Sequence, residues 1–129
     1  MRVLIDTHIM LDIIRHSLTR RRPEITRLLS DPATIGYVSV VSLWETAIKT
    51  RLRKLDPGMA LETIAGYLQA LGLAILPIEI SHVITVVTPE PATRDPFDRL
   101  LLAQCQIEDL RLVTLDRALV AHPLAAKIK

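Results

Sequence analysis

The chain opens with Val3-Leu4-Ile5, an unbroken apolar run closed by Asp6, and the pattern returns late, at Arg111-Leu112-Val113-Thr114-Leu115 closed by Asp116. Short runs with consecutive apolar positions mark strands buried on both faces, as in parallel sheets. Tyr37-Val38-Ser39-Val40 and Ala74-Ile75-Leu76-Pro77-Ile78 complete a set of four, with Pro77 marking a strand end or a sheet edge. Between them the period changes to 3.6 residues. Leu61, Ile64, Ala65, Leu68 and Leu71 share one face of a helix over 60–71, and Gly72 stands at the usual closing position. Further helices are predicted over 9–15 with Thr7 as cap, from Pro23 to about 29, over 43–54 with Ser42 as cap, and from Ser81 to about 87. Residues 16–22 read as a basic loop. A short helix is predicted around 117–120.

The strongest helix signal follows a proline-rich loop over 88–94. Asp95 suits an N-cap, Pro96 the first helical position, and Asp98 falls in the first turn. Leu100-Leu101-Leu102-Ala103 and then Cys105 and Ile107 make the segment apolar nearly all round, which predicts a buried helix running to about 109. Alternation of strands and helices predicts an α/β fold: a mainly parallel sheet of four to five strands with helices on both faces and right-handed crossovers. At 129 residues, a single domain over 1–129 is expected.

Composition narrows the classes. Half the residues are hydrophobic, and only Tyr37, Trp44, Tyr67 and Phe97 are aromatic, too few to predict stacking on bases. A lone cysteine, Cys105, rules out internal disulfides and cysteine-rich zinc sites. The start has no signal-peptide pattern, and no apolar run reaches the ~20 residues of a membrane span. A soluble protein of a reducing cytoplasm, with no membrane partner, is the expectation. Net charge is +2, unevenly spread: residues 1–55 carry ten Lys/Arg against five Asp/Glu, residues 56–129 six against nine. Arg15-His16, Arg20-Arg21-Arg22 and the stretch 49–54 are either a phosphate-binding footprint or ordinary solvated surface.

In a doubly wound sheet the working crevice lies beyond the carboxyl ends of the strands. Four acids are predicted there: Asp6 and Asp116 at strand ends, and Glu45 and Asp98 in the first turns of helices. Each has an ordinary alternative. Asp6 and Asp116 could cap helices, Glu45 could complete a capping box with Ser42 or pair with Lys49, and Asp98 could bond back to the Asp95 amide. Taken together they exceed what helix ends need, and like charges at ~4–6 Å raise one another's pKa. A bound cation resolves that repulsion. An all-carboxylate set suits Mg²⁺ or Mn²⁺, and the four histidines, His8, His16, His82 and His122, show no zinc spacing. Such a site beside basic patches fits metal-assisted phosphodiester cleavage.

Val3-Leu4-Ile5-Asp6-Thr7-His8, Ser42-Leu43-Trp44-Glu45-Thr46-Ala47-Ile48-Lys49, Arg94-Asp95-Pro96-Phe97-Asp98-Arg99 with Leu102-Ala103-Gln104, and Leu112-Val113-Thr114-Leu115-Asp116 together resemble a PIN domain. The resemblance is to the VapC-type toxins of bacterial toxin–antitoxin pairs, and it covers essentially the whole chain. It implies a single PIN-like domain with a Mg²⁺- or Mn²⁺-dependent endoribonuclease activity on RNA. Carried over, the catalytic acids are Asp6, Glu45, Asp98 and Asp116, with Asp6 and Asp98 as the firmest metal ligands. Asp116 would complete the site or support a second ion, and Glu45 would bind or orient water. Thr7 and Thr114 could support them through their hydroxyls, and Arg99 is a counter-charge or phosphate contact. The resemblance further implies a homodimer and a cognate antitoxin that occludes the site. One departure stands out: the branch commonly has His where this chain has Thr93.

Two other classes stay in view. A catalytically silent module that binds RNA or protein has no need of clustered carboxylates, and failure to bind Mn²⁺ would favour it. A phosphoryl-accepting receiver domain wants paired acids after the first strand and a late lysine, whereas Asp6 is followed by Thr7-His8.

Overall fold

The computed structural model describes residues 1–128, among which four strands form one all-parallel sheet in the order β3-β2-β1-β4, covered by seven helices. The strands are β1 (Arg2–Ile5), β2 (Ile35–Ser39), β3 (Ala74–Leu76) and β4 (Arg111–Val113). The helices are α1 (Thr7–Ile14), α2 (Leu18–Arg21), α3 (Pro23–Ser30), α4 (Val40–Arg51), α5 (Leu61–Ala70), α6 (Ile80–Ile84) and α7 (Pro96–Glu108). The chain steps from β1 outward to β2 and β3, then returns to lay β4 on the other side of β1. That reversal puts the switch point, where doubly wound sheets open their crevice, at the carboxyl ends of β1 and β4.

The consecutive apolar positions of β1 divide between two cores, as the pleat requires. Val3 and Ile5 join Val38 and Val113 on one face, packed under Ile9 and Ile14 of α1, Leu18 of α2, Ile25 of α3, and Ile64 and Leu68 of α5. Leu4 and Leu112 face the other way, against Val41 of α4 and Leu101, Leu102 and Cys105 of α7. Burial pushes the Cys105 thiol up to about 12, so it acts as a small apolar group. No helix among the described residues is long and apolar enough to cross a membrane.

Most elements lie where the pattern places them, but three helix starts differ, one helix is added and one is absent. Asp6, not Thr7, is the N-cap of α1: its Oδ1 accepts the Ile9 amide at 2.9 Å. Ser39, not Ser42, caps α4 through the Val41 amide at 2.9 Å, so the helix begins at Val40, the residue expected to end the strand. Glu79, not Ser81, caps α6 in a box with His82, and α6 stops at Ile84. The basic stretch contains the one-turn helix α2, held down by buried Leu18. Residues 117–120 form turns rather than a helix. Helix α7 is capped by Asp95 as predicted, through the amides of Phe97 at 2.8 Å and Asp98 at 3.3 Å. It is not buried all round: Leu101 to Cys105 are inside, while Ile107 is exposed.

Candidate active site

Asp6 follows β1 directly, and its amide continues the sheet by donating to the Val113 carbonyl at 3.0 Å. Its carboxylate is buried, with the Thr114 hydroxyl beside it. Burial raises its pKa above the ordinary aspartate value; the Thr114 hydroxyl and the Ile9 amide oppose the rise, and Asp116 adds to it. Asp116 lies beyond β4 on the same edge, half-buried, and its Oδ1 accepts the Ala118 amide at 2.8 Å. Thr114, buried, receives the Asp116 amide at 3.1 Å, so one side chain borders both acids.

Glu45 enters from α4. With Ser39 as the cap, Glu45 sits well inside the helix, and no box with Ser42 forms. Its buried carboxylate instead spans two partners: Oε1 accepts the Thr7 hydroxyl at 2.7 Å, and Oε2 meets the Lys49 ammonium at 2.5 Å. Thr7 Oγ1 is also 3.0 Å from Ser42 Oγ. Once Thr7 gives its proton to the carboxylate, the serine hydroxyl can donate to it in turn. Lys49 is held charged by the Glu45 hydrogen bond, with the charges of Glu45, Asp95 and Asp98 adding to it. Its ammonium is thus a built-in cation facing the acids.

Asp98 projects from the first turn of α7. It does not bond back to the Asp95 amide, because the Thr93 hydroxyl accepts that amide at 3.1 Å. The same hydroxyl lies 3.3 Å from Asp98 Oδ2 and donates to it. Partial burial, and then the negative charges of Asp95, Asp116 and Glu45, push the Asp98 carboxyl up to about 6; Thr93 partly offsets this. Arg99 is spoken for: Nε donates to the Thr93 carbonyl at 2.9 Å and Nη2 to Glu90 Oε1 at 2.5 Å. Its geometry ties the 88–95 loop to α7 and so positions Thr93.

The four acids therefore share one rim and sense one another electrostatically, Asp98 feeling both Asp116 and Glu45, and Asp6 feeling Asp116. As the side chains stand, no three acids, histidines or cysteines among the described residues are close enough to close around an ion. Sequence reasoning missed the contribution of Thr93 and saw Lys49 only in its ordinary role. Thr93 was visible only as a departure from the family pattern, and Lys49 only as an i, i+4 partner of Glu45. The Lys49–Glu45 pair is legible as an i, i+4 spacing within α4, whereas the Thr93–Asp98 contact has no sequence signature, because it depends on how the 88–95 loop folds onto α7.

A doubly wound parallel sheet with four acids along the rim at its switch point is the class of architecture the chain presents, and the comparisons narrow it. Residues 3–123 match the PIN domain family, and the chain belongs to that family. Its structure is similar to a chain of a solved "Toxin-antitoxin complex from Klebsiella pneumoniae", at 15% identity and a TM-score of 0.63, over 97% of this chain and 96% of that one. At that identity the likeness is one of fold. None of the curated proteins matches the chain.

Proposed function

We propose that the protein is a Mg²⁺- or Mn²⁺-dependent endoribonuclease, the toxin of a toxin–antitoxin pair, that hydrolyses phosphodiester bonds of single-stranded RNA. The observation that carries this reading is the Asp98 carboxyl, raised to about 6 by burial and by three neighbouring acids, on a rim where ordinary capping accounts for Asp95 but not for Asp98. A cluster of this kind, answered only in part by Lys49, is a standing demand for positive charge.

The donor set fits a hard divalent ion: it is all carboxylate, and the Lys49 ammonium already answers part of the demand as a stand-in cation. Asp6, Asp98, Asp116 and Glu45 would hold the ion. When bound, the ion lowers the pKa of a water and neutralises charge building on the phosphate. The chain's own residues set up that event. Thr7 fixes the Glu45 carboxylate, Thr114 lies between Asp6 and Asp116, and Thr93 steadies Asp98. Asp95 keeps α7 capped and Asp98 in register. The buried middle of α7 anchors the whole segment.

The implied homodimer and antitoxin need apolar surface. A cleft of about 420 Å³ between α1, α3 and α5, lined by Ile13, Leu18, Leu29, Tyr67 and Leu71 among others, suits the antitoxin. Exposed Ile80, Val83, Ile84 and Val86 on and after α6 suit a second copy. A cytoplasmic location follows from the same reading, since RNA and antitoxin are met there.

The test is cleavage of single-stranded RNA with and without Mn²⁺. We expect activity that EDTA abolishes and that Asp98→Asn loses while the protein stays folded. Activity surviving both treatments would overturn the mechanism. Failure of the folded wild type to bind Mn²⁺ would leave a non-catalytic RNA- or protein-binding module.

A further inference from the structure

Outside the acid set, the chain holds a buried carboxylate that the reaction does not use. Asp12 of α1 is 7% exposed, and its Oδ1 pairs with Arg21 at 2.9 Å and lies 3.3 Å from the Ser17 hydroxyl. A buried acid is costly to hold charged, and the Arg21 guanidinium and the Ser17 hydroxyl offset that cost, which fixes Arg21 in turn. Arg21 belongs to α2, which returns sharply over α1 at His16, a non-glycine residue in the left-handed region at φ 57. The turn and the ion pair together hold Arg21 in place, and both Arg21 and the adjoining Arg22 line a cleft shared with Asp6 and Asp116.

That cleft, of about 300 Å³, is lined by Asp6 and Asp116 of the rim together with Asp12, Arg15, Arg21 and Arg22. His8 also lines it. Arg15 donates to the Asp56 backbone carbonyl at 2.5 Å, which aims the guanidinium without neutralising it. Among the described residues Arg22 has no acidic partner within salt-bridge distance.

We propose that this cleft carries the RNA strand away from the cut, with Arg22, Arg21 and Arg15 receiving the phosphates that flank the scissile one, and with Asp12 as the positioning residue that aims Arg21. The proposal rests on the nuclease reading, because the acids fix which phosphate is cut. Guanidinium forks match phosphate oxygens in charge and geometry. An acidic peptide fits the cleft less well, because its carboxylates would meet Asp6 and Asp116 with no reaction to bring them there.

The experiment measures binding of a fluorescein-labelled, mixed-sequence single-stranded RNA to the full-length Asp98→Asn protein in EDTA, across a salt series. Adding Arg22→Gln is expected to weaken binding about five- to tenfold and to flatten the slope of log K against log salt by ~0.7, the value for one lost phosphate contact on a single strand. Asp12→Asn should weaken binding less. Arg21→Gln should cost severalfold with Asp12 present but little in the Asp12→Asn background, a coupling that a purely structural Asp12 would not produce. Arg27→Gln, exposed on α3 and outside the cleft, is the matched control. Thermal melts exclude unfolding. Arg22 and Arg21 variants that bind with the parent's affinity and slope would overturn the proposal and leave the nuclease reading standing. If they also lost affinity for an Asp/Glu-rich peptide, the cleft would belong to a protein partner. A parent protein that binds no RNA would overturn both readings together.

Discussion

Replacing Asp98 by Asn should make the metal-free protein more stable near neutral pH. The side chain keeps its shape and its contact with Thr93, and loses the charge that the rim resists. Raising a carboxyl from 3.8 to about 6 is a shift of roughly two units, or about 3 kcal/mol at 1.36 kcal/mol per unit. Asp98 is only half-buried, and solvent screening brings this to about 1–2 kcal/mol. For a domain of this size that is about 3–8 °C in melting temperature. The sign follows from linkage. Between 3.8 and about 6 the folded form holds a proton that the unfolded chain has released, so wild-type stability falls as pH rises through that window. The Asn variant avoids the loss, so its advantage is absent below 3.8 and complete above about 6. Thermal melts of both proteins in EDTA, taken across this window and then repeated with Mn²⁺, measure it. Mn²⁺ should raise the wild type's melting temperature and leave the variant nearly unmoved. A variant that melts below wild type at neutral pH would mean that Asp98 serves the helix start rather than the rim. An advantage independent of pH would sink the electrostatic argument.

Three further outcomes are expected. Asp95→Ala removes the α7 cap and should cost about 1 kcal/mol in urea unfolding at low pH. The cost shrinks above pH 6, where loss of the Asp95 charge eases the ionised Asp98 beside it. Lys49→Met leaves the Glu45 carboxylate buried with only Thr7. It should lower the metal-free melting temperature by an amount equivalent to about 1–3 kcal/mol, and Mn²⁺ should recover more stability than in wild type. Because the folded pKa of Lys49 is raised, the wild-type advantage holds below 10.5 and fades as alkali deprotonates the lysine. Leu102→Ala, at a fully buried position of α7, should cost about 2–5 kcal/mol by urea denaturation.

The elements that could be read from the chain are those whose signal is local. Val3-Leu4-Ile5 is apolar at every position because both sheet faces are covered, and it is a strand for that reason. Gly72 ends α5 with φ at 95, a conformation that suits glycine. Asp95 and Pro96 start α7 by chemistry confined to one turn. Helix starts failed where two residues of similar capping ability stood close together and packing chose between them. Ser39 ends β2 and caps α4 in the same position, and its hydroxyl reaches the buried Gln104 of α7 at 2.5 Å, a contact 65 residues away that no local pattern encodes. Residues 16–22 looked like loop because α2 is a single turn with one buried anchor, too short for a period to show.

The misplaced caps bear directly on the site. Glu45 and Asp98 each had an ordinary explanation as the acid of a capping box, and in both cases another residue takes that work. Ser39 starts α4 three residues before Ser42, which leaves Glu45 in the helix body, reaching Thr7 and Lys49. Thr93 accepts the Asp95 amide, which leaves Asp98 with one weak hydroxyl donor at 3.3 Å and three acidic neighbours. The two acids are free of the backbone for the same physical reason: a hydroxyl supplied from outside the helix satisfies the end of the chain segment and releases the carboxylate. Asp6 and Asp116 each accept a single backbone amide, from Ile9 and Ala118, through one oxygen. A rim in which neither helix acid is consumed by its helix, and each strand-end acid accepts only one backbone amide, is organised around positive charge that must come from a ligand or from Lys49.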